Sequence, residues 1–237
     1  MADTDINIIA KKGADGAMGA TGLSGKPGDK GKDGKGPNFW GTCGAATDGK
    51  EGGKGIDGTN GGKGAIGGDA PLLILNIGSI PLSSAVIYVV STGGTGGTGG
   101  TGGDGGIGGV GGAGGTNTQS CLKKSKVPLS SGDRGGPGGT GGTGGTGGLG
   151  GDGGAIAINT QDQIITSRLS AISNPGSGGG KSSFGAGGLG GPGGANEVYP
   201  STDPPTFAPT GDVGLKGGDG EPGTNGGAGK EIGRAHV

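Results

Sequence analysis

The sequence predicts a glycine-rich repeat fold: an intramolecular bundle of about six polyglycine or polyproline II helices, with a small β-sheet at one end and essentially no α-helix. Three observations predict it. Glycine supplies 74 of 237 residues, against about 7 % in ordinary proteins. It recurs at every third position through six segments. Those segments group into larger units of about eighty residues, each bounded by short β-rich runs.

Composition removes several function classes. Leu, Ile, Val and Phe together number 38, below the roughly 20 % needed for a conventional core. Disorder usually accompanies a large net charge, yet the formal charge is −1. Lys and Asp are interspersed and form no basic field, so no nucleic-acid partner is expected. The 13 prolines are too few for a Pro-rich collagen or a polyproline linker. Cys43 and Cys121 lack the spacing of a zinc site, and the only histidine is His236. No metal, cofactor or catalytic residue is expected, and the protein is read as a non-enzyme.

The first residues, MADTDINIIAKKGADG, are acidic where a signal peptide is basic, and no signal peptide is recognised. Residues 70–90 are uncharged and about long enough to span a bilayer. Pro71, Gly78 and Pro81 interrupt them, and LLILNI and VIYVV read as two strands. No membrane span is expected.

Glycine runs of the form Gly-X-Y cover 13–34, 49–67 and 211–229, and runs of the form Gly-Gly-X cover 93–115, 135–154 and 187–194. Each larger unit passes from a β-rich run to a glycine run, a loop, a returning glycine run and a second β-rich run. The units are 1–79, 80–160 and 161–231. The closing IGRAHV matches the translation of a common sequencing adapter, so 232–237, with His236, are set apart from the fold.

A period of three with about 3.1 Å rise defines the polyproline II form, which has no internal hydrogen bonds. Its N–H and C=O groups need partners on neighbouring segments. Ordering 74 glycines costs on the order of 100 kcal/mol, so such a helix bundles or stays disordered. Loops and strands interrupt the runs, which favours one chain folding back on itself; a trimer of collagen type is the alternative assembly. Gly-Gly-X leaves two bare columns, so 93–115 and 135–154 are expected inside, with Gly-X-Y runs outside and their Lys and Asp in water. A run of about 21 residues would reach about 65 Å.

The three loops between paired runs would then cluster at the tip away from the sheet. They hold Phe39, Trp40, Tyr199 and Phe207, four of six aromatics. Aromatics on loops carried by a scaffold suggest ligand contact; the alternative is a plug over the open bundle end. Cys43 and Cys121 fall in equivalent loops, either as a disulfide in an extracellular molecule or as two free thiols.

The run GADGAMGATGLSGKPGDKGKDG resembles collagen-like proteins of bacteria and viruses. The GGTGGTGGTGG hairpins resemble the polyglycine II bundles of certain phage tail-fibre tip adhesins, and snow flea antifreeze protein has a related packing. These resemblances rest on periodicity and composition.

Other motifs are weaker. GSGGGKSS, residues 176–183, is one residue short of a phosphate-binding loop. Asp104 and Asp152 sit as in a calcium nonapeptide, but Gly106 and Gly154 replace its apolar residue. Thr95, Thr98 and Thr101, with Thr140, Thr143 and Thr146, form columns that invite an ice-binding reading. An antiparallel pairing of Thr143 with Ile107 and Thr98 with Asp152 would stagger them.

The function expected is therefore a non-catalytic structural and adhesive protein, extracellular or on a virion surface, whose loop tips contact a cell-surface receptor or matrix component. A phage or virus tail-fibre receptor-binding adhesin is the alternative, and an ice-binding protein ranks behind both.

Overall fold

β-branched and aliphatic residues cluster only where glycine stops, and there the chain forms strands. The computed structural model describes residues 5–78, 86–124, 127–160, 168–199, 203–215, 217–218, 220, 223–224, 226 and 231–235. The strands are β1 (Ile6–Ile9), β2 (Leu73–Ile77), β3 (Ile87–Thr92), β4 (Ile156–Thr160), β5 (Leu169–Asn174) and β6 (Glu231–Ala235). One four-residue helix, α1 (Gln119–Leu122), interrupts a loop.

The strands form two three-stranded parallel sheets, β1-β3-β5 and β2-β4-β6, rather than the one small sheet expected. Partners stand one large unit apart: Ile6 pairs with Val89 and Leu73 with Ile156. Parallel neighbours need a long connection, and here each connection is a glycine excursion out and back. Val89, Ile156 and Ile158 are buried, with Ile6, Leu73, Leu75, Ile77, Ile87, Leu169 and Ala171 packed around them. Other aliphatic residues, such as Leu23, Ile56 and Ile107, stay exposed on the glycine segments. Ile232 and Ala235, from the tail set apart above, pair with Ala157 and Asn159 across a register irregularity. His236 lies outside the described residues.

β2 and β3 occupy the two halves of the uncharged stretch 70–90, whose residues 79–85 lie outside the described set. Among the described residues, no helix is long and apolar enough to cross a membrane.

Among the described residues, six extended segments run between sheets and loops: first (13–34), second (49–68), third (93–115), fourth (132–154), fifth (176–194) and sixth (the described residues between 208 and 226). Odd segments bond to odd ones in parallel, as in Gly13 N–H to Thr95 O and Gly93 N–H to Asn174 O, repeating every three residues. Even segments do likewise, as in Gly52 N–H to Arg134 O. Sequential neighbours are antiparallel and bond across the two layers, as in Gly62 N–H to Ala17 O and Gly142 N–H to Gly103 O. That register sets Thr143 level with Gly102, not with Ile107, and Thr98 level with Gly147, not with Asp152. Its partner columns belong to different layers.

Neighbour count explains the two glycine patterns. A Cβ on the first residue of a triplet would collide with the next segment, as Gly13 would with Ala65 O and Gly93 with Gly151 O. A Cβ on the second would collide two segments back, as Gly94 would with Lys11 O and Gly136 with Gly53 O. The first and second segments have nothing two segments back, and they carry Ala14, Ala17, Ala20, Ile56 and Thr59 at that place. The third and fourth touch four neighbours each and need both glycines. The sixth has no following segment among the described residues, and Thr210 and Val213 occupy its first positions.

Candidate functional site

The third residue of a triplet keeps an N–H that the ladder does not use, and at seven described positions a carboxylate or amide oxygen of the preceding unit accepts it. Asp15 accepts from Thr98 N, Asp33 from Thr116 N, Asp48 from Ser131 N and Asp57 from Thr140 N. Asn60 serves Thr143 N, Asp69 serves Asp152 N and Asp104 serves Ala186 N. Lysines three residues earlier, one triplet along the same column, hold three of these carboxylates: Lys12–Asp15, Lys30–Asp33 and Lys54–Asp57, each at 2.9 Å. The Lys12 ammonium and then the Thr98 N–H bring Asp15 down to about 2. Lys30 with Thr116 N, and Lys54 with Thr140 N, lower Asp33 and Asp57 in the same way. These groups are structural caps.

At the end away from the sheets, the three loops meet. Lys35 and Gly44 exchange both backbone hydrogen bonds, closing the first loop at its base. Asn38 organises its apex: its Oδ1 accepts from Trp40 N at 3.0 Å and Thr42 N at 2.9 Å, an Asx turn. Its backbone O accepts from Gly41 N, and Gly41 has φ 74°, which suits glycine. Cys43 and Cys121 form a disulfide, with Cα atoms 6.0 Å apart. It joins the first loop to α1 of the second and closes a span of 78 residues, worth about 4.5 kcal/mol by the chain-entropy rule.

The second and third loops are joined through Glu197. Its carboxylate accepts from Asn117 N, from Asn117 Nδ2 at 2.6 Å and from Ser130 N at 3.0 Å. Asn117 Oδ1 accepts from Ala46 N at 2.7 Å, bringing in the first loop as well. Ser130 Oγ donates to Gly115 O. Asn117 and Ser130 are buried, so the tip has a polar core where the sheet end has an aliphatic one.

On this base stand Phe39 and Trp40, 93 % and 83 % exposed. Their rings meet edge to face, with centroids 5.3 Å apart and planes at 88°. Phe207 is exposed on the third loop, where it bridges Ala195, and Tyr199 is half-buried. The structure brings Phe39 to Trp40 and Cys43 to Cys121, but it stacks neither Tyr199 nor Phe207 on that pair. Residues 200–202 of the third loop lie outside the described set.

The remaining motifs are absorbed by the lattice. Gly176 N and Gly179 N donate to Gly151 O and Gly148 O, so GSGGGKSS is extended backbone with no phosphate cradle. Sequence reading missed Asn38, Asn117, Ser130 and Glu197. Asn38 had a signal, an Asn three residues before Gly41, whereas the Asn117–Glu197 contact crosses 80 residues and has none.

No family model matches the chain, and searches of curated proteins and of solved structures find no match.

Proposed function

We propose that this is a non-catalytic structural and adhesive protein, extracellular or surface-displayed, in which a bundle of six polyglycine II helices carries a loop tip that contacts a cell-surface receptor or matrix component. The observation that carries the reading is the Phe39–Trp40 pair: two rings almost wholly in water, on a loop held by an Asx turn, a backbone bridge and a disulfide. Exposed aromatic surface has no folding benefit, and an ordered scaffold beneath it lowers the entropy cost of binding. Aromatics presented in this way are frequent anchors at interfaces.

Two further features support it. The triplet-spaced ladder between segments is the pattern expected of packed polyglycine II helices, each supplying the partners its neighbours lack. A disulfide is characteristic of oxidising surroundings, which suits an external location. One chain fills its own ladder, so the bundle is read as a monomer rather than a collagen-like trimer.

The test is retention on immobilised cell envelopes or extracellular matrix. Trp40→Ala with Phe39→Ala should reduce retention at least tenfold while the thermal melt stays unchanged, because both rings are largely exposed. Equal retention of variant and parent would overturn the reading.

A further inference from the structure

We propose that the tip docks on an anionic lipid surface, with Phe39 and Trp40 entering the interfacial zone and Lys35, Lys123 and Lys124 facing the headgroup phosphates. This rests on the adhesive reading and names its partner.

The charge pattern is local. The two disulfide-joined loops, 35–44 and 116–131, contain four lysines and no acidic residue, in a chain of net charge −1. Three of those lysines, Lys35, Lys123 and Lys124, are described, and all three are exposed. None pairs with a carboxylate among the described residues, whereas Lys12, Lys30, Lys50 and Lys54 on the glycine segments each do. The acids seen to touch these loops sit at their bases: Asp33 accepts from Thr116 N, Asp48 from Ser131 N, and the Glu197 carboxylate from Asn117 and Ser130. The disulfide holds this basic set beside the aromatic pair. Trp40 is three residues from Cys43, Lys123 is two from Cys121, and Cys121 Sγ lies 3.9 Å from Lys35 O.

Shape selects the partner. Small ligands and sugars are gripped in concave sites, but Phe39 and Trp40 stand proud, with no wall against either ring. A bilayer interface accepts a convex aromatic apex: tryptophan settles at headgroup depth. Flexible lysines around it reach phosphate oxygens while their stems stay near apolar surface. Each lysine near an anionic surface strengthens binding roughly fivefold.

Trp40 is the only tryptophan, so its fluorescence reports the tip directly. The oxidised full chain is titrated with phosphatidylcholine vesicles and with vesicles of equal parts phosphatidylcholine and phosphatidylserine. A blue shift with the anionic vesicles alone, reversed by high salt, is expected. Lys123→Gln with Lys124→Gln should lower partitioning roughly 25-fold. Phe39→Ala keeps the reporter and should weaken partitioning with the salt dependence unchanged. Unchanged emission in anionic vesicles overturns the proposal, as does an equal shift in neutral ones. If vesicles are ignored but cell-envelope retention still depends on Trp40, the lipid partner is wrong and the adhesive reading stands. If retention is also indifferent to Trp40 and Phe39, both fall.

Discussion

A methyl group is the smallest side chain, and at Gly100 it has nowhere to go. The added carbon would overlap the Ala17 carbonyl of the first segment, and backbone on both sides is fixed by the ladder. At Gly53 the same methyl would meet only Lys26 backbone at 3.1 Å, on the open flank of the second segment. Gly100→Ala is therefore expected to destabilise by about 3 kcal/mol, at the upper end of overpacking costs. Gly53→Ala should be near neutral, since it also restricts the unfolded chain. Paired thermal melts decide it: equal losses at the two sites would mean that neighbour count does not set the glycine pattern.

The N–H groups that the ladder leaves over are capped by side chains, most of them carboxylates. Asp15, Asp33 and Asp57 bind their last proton below the ordinary range, so they stabilise the fold above about pH 4. That contribution is lost as pH falls through their folded-state values, about 2 for Asp15. The melting temperature should therefore decline between about pH 4 and pH 2. Replacing all three by Asn should flatten the decline, because an amide oxygen can still cap, as Asn60 does for Thr143. Parallel profiles for variant and parent would rule the carboxylates out as its source. This element was half legible beforehand. Lys-x-x-Asp on a period of three announces an ion pair along one column, but nothing local announces that Asp15 also reaches Thr98. That contact depends on how a whole unit returns.

Across the whole molecule, what could be read in advance was periodicity. LLILNI and VIYVV emerged as β2 and β3 because a β-branched run bounded by glycine has few other options. The pairing of strands into two sheets was not legible, because parallel partners lie 83 residues apart, as Ile6 and Val89 do. No local pattern encodes which layer a strand joins. Phe39 and Trp40 were candidates from their place in a predicted loop, while their exposure and edge-to-face contact could not be read in advance. If the intramolecular bundle is right, sedimentation equilibrium gives a monomer, and circular dichroism shows a polyproline-II-type spectrum with one cooperative melt. A trimer, or a chain without a transition, would refute it.

β1 and β6 lie at one end of the segments, and Trp40 lies at the other. If the segments keep the polyproline II rise, the distance between them would be about 65 Å. A body fastened through either strand would be held that far from whatever the rings touch, with six backbones resisting bending in place of one. For such a mounting, the glycine count would set the stand-off.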